Sequence, residues 1–180
     1  KITDGEHLNP IYVKNGKPII SAKDVKLNDV NLSDAKSVSE YDFKKMLSKC
    51  CPEKGDLLIV SRGATIGRVA VNNNGSPFAL MGSVILIKTN KKEYIGEYLS
   101  LFFQLDSFKS TLNILSGSSA QQAIYIKDLG ELYFMYPSIN KQKEIVKKIS
   151  LIDKLINVLR NKKEKIEFLK QSILKKNFND

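Results

Sequence analysis

A chain of 180 residues and 20.3 kDa, 42% hydrophobic and 27% charged, has room for one folded domain and an appendage. This balance excludes a disordered chain, and no run of about 18 uncharged apolar residues supplies a membrane span. With 29 basic against 19 acidic residues the net charge is +10, which suits a polyanionic partner.

The opening residues, KITDGEHLNP, lack the basic and apolar regions of a secretory signal, and the missing initial Met suggests trimming or a fragment start. Clusters of Val, Ile, Leu and Tyr between turn residues predict strands at residues 18–22, 56–61, 66–71, 83–88, 123–126 and 131–136. The stretch RGATIG offers two glycines for a tight reversal, so residues 56–71 read as a hairpin. Asn72-Asn73-Asn74-Gly75 marks the next turn. A helix is predicted over residues 39–47, where Ser37 and Glu40 have capping-box spacing. Another is predicted over residues 94–112, with Tyr98, Leu101, Phe102, Leu105 and Phe108 on one face. Those aromatics are assigned to the core rather than to base stacking. Residues 1–137 thus read as a mixed α+β domain with no clean βαβ repeat.

The last 40 residues differ in kind. They hold 12 basic and 5 acidic residues, a net +7 against +3 for the first 140, and contain neither Gly nor Pro. Apolar residues recur at Ile145, Ile149, Ile152, Ile156 and Leu159, then at Ile166, Leu169 and Ile173. Alternating steps of four and three place them on one helix face with the coiled-coil period. Ser138, after Pro137, is the expected N-cap. A helix over residues 139–177, at about 1.5 Å per residue, runs to roughly 55–60 Å. That exceeds a small domain's diameter, so residues 138–180 are expected to project and to need a partner helix. The lysines here read first as a solvated face, and only second as phosphate contacts.

Catalytic parts are scarce. His7 is the single histidine, so a His-based metal cluster or catalytic triad lacks members. Neither GxxxxGK with Ser or Thr nor GxGxxG is present. Asn9-Pro10-Ile11-Tyr12 departs by one residue from the NPPY motif with which adenine methyltransferases hold the target amino group. Only eight residues precede it, too few for the sheet that binds a methyl donor. Asp24-Val25-Lys26 and Asp34-Ala35-Lys36 match half of a metal-nuclease site without a placed acidic partner. Cys50 and Cys51 are adjacent and cannot staple a loop, which points to a reducing cytoplasm and a structural role. No catalytic residue, metal or cofactor is assigned.

Three stretches taken in order carry a resemblance: DGEHLNPIYVKNGKPII, GDLLIVSRGATIGRVAV, and GSSAQQAIYIKDLGELYFMYPSINKQKEIVKKI. Together they resemble the specificity subunit of type I restriction-modification systems, in which a target recognition domain precedes a helical spacer. The resemblance covers nearly the whole chain, with one recognition domain and one spacer, as in a half-subunit. The family usually carries more residues ahead of the first stretch. The resemblance implies a non-catalytic protein that reads one half of a split double-stranded DNA target. It would place a methyltransferase subunit on its adenine, with a restriction subunit joining for cleavage. It also implies homodimerisation through the eight apolar helix residues, and hence a palindromic, interrupted target.

Candidate DNA contacts follow. Ser116 to Gln122 form a polar loop in which Ser118, Ser119, Gln121 and Gln122 offer base-reading groups, unless the loop is simply polar. Lys14, Asn15 and Lys17 form a candidate phosphate-binding turn. Ser61, Arg62 and Arg68 lie in and beside RGATIG; for Arg62 the resemblance, in which members of different specificity share this motif, implies a phosphate or structural role over base choice. His7 is expected to make a turn-stabilising hydrogen bond. A second reading, of another class, is an interaction scaffold or antirestriction decoy that captures the methyltransferase subunit without reading DNA. An RNA-binding module finds no RNP-like aromatic strand or GXXG loop.

Overall fold

Short apolar strands and a long helix rich in Lys, Glu and Ile assemble into the expected α+β fold in the computed structural model. It describes residues 1–117 and 122–178. Along the chain lie β1 (Ile2–Asp4), β2 (Tyr12–Ile20), β3 (Val25–Lys26), β4 (Asp29–Val30) and β5 (Lys36–Val38). Helix α1 (Glu40–Lys49) is followed by β6 (Leu57–Val60), β7 (Val69–Val71), β8 (Ala79–Leu80) and β9 (Val84–Ile87). Helices α2 (Gly96–Phe103), α3 (Asp106–Leu115), α4 (Ile126–Gly130) and α5 (Ile139–Phe178) complete the order.

The expected hairpin is present: β6 pairs antiparallel with β7 from Leu57↔Val71 to Ile59↔Val69. Gly63 and Gly67 take the positive φ that its turn requires, and the Gly67 N–H closes it on Val60 O at 2.9 Å. β6 also pairs antiparallel with β9, and β1 extends that sheet, giving the order β1-β9-β6-β7. Leu57 to Val60 are buried on both faces, which is why the run is apolar throughout instead of alternating. On one face Leu57, Ile59, Val71 and Ile85 meet Leu99 and Phe103 of α2 and Phe108 and Leu112 of α3. On the other, Leu58, Val60, Val84 and Leu86 meet Ile20, Phe78 and Leu80. Those residues belong to or flank a second sheet, β5-β2-β8, whose outer residues Ile19, Val38 and Ala79 are covered by Phe43 and Met46 of α1. Each large side chain so buried contributes about 1.5–3 kcal/mol.

Several expectations need correction. Residues 94–112 are two helices, not one, because α2 ends at Phe103 and α3 opens at Asp106. On a continuous helix Phe103 and Phe108 would point well apart; the break brings their centroids to 4.5 Å in a shared core. Of the strand expected over 123–126, only Ala123 makes a bridge, to Arg62, and Ile126 begins α4. Residues 131–136 alternate as a strand should, Leu132 and Phe134 packing inward while Tyr133 and Met135 are 98% and 94% exposed. They pair with no neighbouring strand among the described residues, so the periodicity is right and the element is absent. The strand expected at 18–22 is the end of the longer β2. Lys14 to Lys17 form no turn between elements but an excursion within β2, since Tyr12 and Lys17 both register with Val38. Ser39 and Asp42, not Ser37 and Glu40, cap α1: Ser39 Oγ accepts from Asp42 N at 3.1 Å and donates to its carboxylate at 2.8 Å.

Residue contacts divide the chain into one unit over residues 1–142 and another from Lys143 onward. The division falls about one helical turn beyond the boundary expected at Pro137/Ser138. Gln142 is the cause, being fully buried and bonded into the first unit. Its Oε1 accepts from Ile95 N at 3.1 Å, and its Nε2 donates to Glu93 O at 2.7 Å and Pro137 O at 2.8 Å. Ser138 immediately precedes α5, and its carbonyl accepts from Gln142 N at 3.0 Å.

Candidate nucleic-acid interface

Two of the stretches that carry the resemblance build scaffold. In DGEH, Asp4 Oδ2 and His7 Nε2 lie 2.6 Å apart, the hydrogen bond expected of His7. Gly5 leaves no space for a side chain, since a Cβ would stand 2.1 Å from Leu80 O. The Glu6 carboxylate accepts from His7 N and Leu8 N at 3.0 and 3.2 Å and faces Lys49 Nζ at 3.6 Å. The Leu8 N–H is the main cause holding its pKa below the ordinary 4.5, burial opposes it, and Lys49 and His7 N–H assist. In GDLLIVSRG, buried Asp56 accepts from Glu53 N and Thr89 N at 2.8 and 3.2 Å. Lys88 Nζ lies 3.0 Å from Asp56 and 3.1 Å from Glu53. Burial alone would lower the Lys88 pKa, but these two carboxylates outweigh it and raise it above 10.5. Cys50 caps the end of α1 with a buried thiol whose pKa burial pushes up, in keeping with its structural role.

The candidate contacts divide accordingly. Ser61 is buried, its Oγ donating to Gly82 O at 3.4 Å, so its side chain is spent inside the scaffold. Arg62 is exposed, and its bridge to Ala123 sets it beside Gln122, whose Nε2 donates to Gly117 O at 3.2 Å. Ser118, Ser119 and Gln121 lie outside the described residues. Lys14 and Asn15 are exposed on the β2 excursion, while Lys17 faces Glu40 at 3.5 Å and Lys36 stacks over the Tyr12 ring at 4.0 Å. The described candidates thereby fall into two groups, one joining the β6–β7 loop to Gln122 through the Arg62–Ala123 bridge, one on β2.

Arg68 stands apart from the other candidates. It is half-buried, donates through Nη1 to Val25 O at 3.3 Å, and lines an open cleft of about 340 Å³. The β6–β7 loop supplies Thr65 and Gly67, the β3–β4 turn Leu27, the α2–α3 corner Gln104, and α3 Lys109 and Asn113. Gln104 Nε2 donates to Asn28 Oδ1 at 3.0 Å and to Ser100, tying corner to turn. Sequence reasoning missed Thr65, Gln104, Lys109 and Asn113; the available signal was the i, i+4 spacing of Lys109 and Asn113 on one helix face.

On α5 the eight interface candidates line the helix as expected. Ile145 and Ile149 are half-buried, whereas Ile152, Ile156, Leu159, Ile166, Leu169 and Ile173 are exposed, Ile152 by 51% and Ile166 by 65%. Among the described residues no group of three or more His, Cys, Asp or Glu is placed to hold a metal ion, and no helix is long and apolar enough to cross a membrane.

Amides and cations thus sit on loops of a layered scaffold, and a long helix with an apolar stripe completes the chain. The chain belongs to the type I restriction-modification DNA specificity domain family, whose model matches residues 6–168. It is 33% identical over 119 residues to the MjaX type I restriction enzyme specificity subunit of Methanocaldococcus jannaschii, covering 65% of this chain and 27% of that protein. It is 26% identical over 171 residues to the EcoBI specificity subunit of Escherichia coli, covering 92% and 35%. Its fold matches a chain from a structural study of type I R-M complex assembly at a TM-score of 0.66 and 21% identity, covering 97% and 42%. The HsdS subunit of Thermoanaerobacter tengcongensis matches at 0.64 and 19%, covering 98% and 41%. The chain therefore spans about a quarter to two fifths of the length of these relatives.

Proposed function

We propose that this chain is a DNA-recognition module of a type I restriction-modification complex. It reads one half of a split double-stranded target, and a methyltransferase subunit and a restriction subunit supply the chemistry. The observation that carries the reading is the family match over residues 6–168, which takes in the α+β unit together with most of α5. Arg62 and Gln122 are the base- and phosphate-contact candidates of the β6–β7 side, and Lys14, Asn15 and Lys17 those of the β2 side. Two copies associate through the apolar face of α5 and present two identical recognition units. The two free cysteines, Cys50 and Cys51, accord with a cytoplasmic setting.

Selection from a random duplex library by the complex assembled with its methyltransferase subunit tests the reading. An enriched, interrupted motif is expected, and Gln122→Ala should alter its bases. Equal affinity for every duplex overturns the reading and leaves a helix-mediated scaffold.

A further inference from the structure

The cleft around Arg68 contains polar groups that the fold does not use. Among the described residues the Thr65 hydroxyl and the Asn113 carboxamide make no side-chain hydrogen bond, and of the Arg68 guanidinium nitrogens only Nη1 is engaged, with Val25 O. A guanidinium carries five N–H donors, so most of its capacity remains. The two cations on the lining are Arg68 and Lys109, and no carboxylate lines it. Asp106, which pairs with Lys109 at 3.2 Å, is 99% exposed and outside the lining, so it holds the ammonium weakly. Half-burial of Arg68 lowers the local dielectric and strengthens its pull on an anion.

The ligand class follows from what is left over. Both donors of the Gln104 amide nitrogen are directed to Asn28 and Ser100, which leaves only Oε1, an acceptor that offers nothing to a phosphate oxygen. Two cations, a hydroxyl and one amide are the groups that grip phosphate oxygens. The same β6–β7 loop that supplies Thr65 and Gly67 to the cleft carries exposed Arg62 at its start, so a strand following the loop would offer charge to both ends.

We propose that this cleft seats a phosphodiester group of bound DNA, held jointly by Arg68 and Lys109 and hydrogen-bonded by Thr65 and Asn113. The proposal rests on the DNA-recognition reading. Its role is to position the unit on the duplex, with base choice left to other residues.

The test measures affinity against salt for the assembled complex on its selected duplex, with wild type, Arg68→Gln, Lys109→Gln and the double variant. Each single change should weaken binding about tenfold, on the order of 1.4 kcal/mol. Because the cations share one phosphate, the double variant should lower the slope of log affinity against log salt by about 0.9 and not twice that. The selected sequence should stay the same. Lys109 is exposed, so its variant keeps the test valid should Arg68→Gln fail to fold. A wild type that selects its target alongside variants of unchanged affinity and slope overturns this proposal alone, as does a changed target sequence, which means base reading. Saturation of the cleft by inorganic phosphate, seen by NMR, with no effect of the variants on DNA binding, assigns a free-anion site and also overturns it. A wild-type complex that selects no sequence overturns the DNA reading and this proposal with it.

Discussion

At Glu6 a carboxylate collects two backbone N–H groups and a lysine, which ties the β1–β2 connection to the end of α1. Its pKa is depressed, so the stability it contributes is present above about pH 4.5 and is lost as pH falls through the lower folded value. Glu6→Gln should therefore unfold more easily than wild type at pH 7, by about 1 kcal/mol at this partly solvated site. The gap should narrow in urea unfolding at pH 3; a gap of constant size would mean the charge is not the cause. Lys88 runs the opposite way: its raised pKa makes its contribution complete below pH 10.5 and lost as pH climbs through the folded value. His7 bonds Asp4, and Gly5 packs its backbone against Leu80 and donates to Val84 O at 3.3 Å, so this stretch is engaged within the scaffold.

At the scale of elements, Gln142 fixes the first turn of α5 within the first unit. It satisfies Ile95 N, Glu93 O and Pro137 O, none of which another side chain replaces. Gln142→Ala should strand these part-buried groups and cost about 1–3 kcal/mol, read as a lower urea midpoint. An unchanged midpoint would show that water takes over all three bonds. The same scale shows where local pattern sufficed. RGATIG predicted its hairpin because the two turn glycines and both strands lie within one short stretch. Residues 131–136 carried an equally clear alternation and formed no strand, because a strand needs a neighbour that no local pattern supplies.

For the whole molecule, the proposed association rests on the apolar residues of α5. If they pair two copies, Ile149→Asp with Ile156→Asp should convert a self-associating species to a monomer in analytical ultracentrifugation. The urea midpoint of the first unit should not move, since Gln142 and its partners are untouched. Association undiminished in the variant would place the interface elsewhere. The charge reads differently at this scale too. The excess sits mainly on the helix, while the first 140 residues are nearly balanced at +3. Net charge thus says little about where the proposed DNA contact would fall on the α+β unit.

Sequence by itself determined the α+β class, the β6–β7 hairpin, the long helix and its apolar stripe, and the family. Each depends on periodicity, turn residues or ordered motifs that are local along the chain. Tertiary structure alone decided that Ser61 is spent in the scaffold, that Arg62 stands beside Gln122, and that Thr65, Arg68, Lys109 and Asn113 line one cleft. Those residues come from separate elements, and only packing on a shared core fixes which side chains meet and which polar groups remain for a ligand.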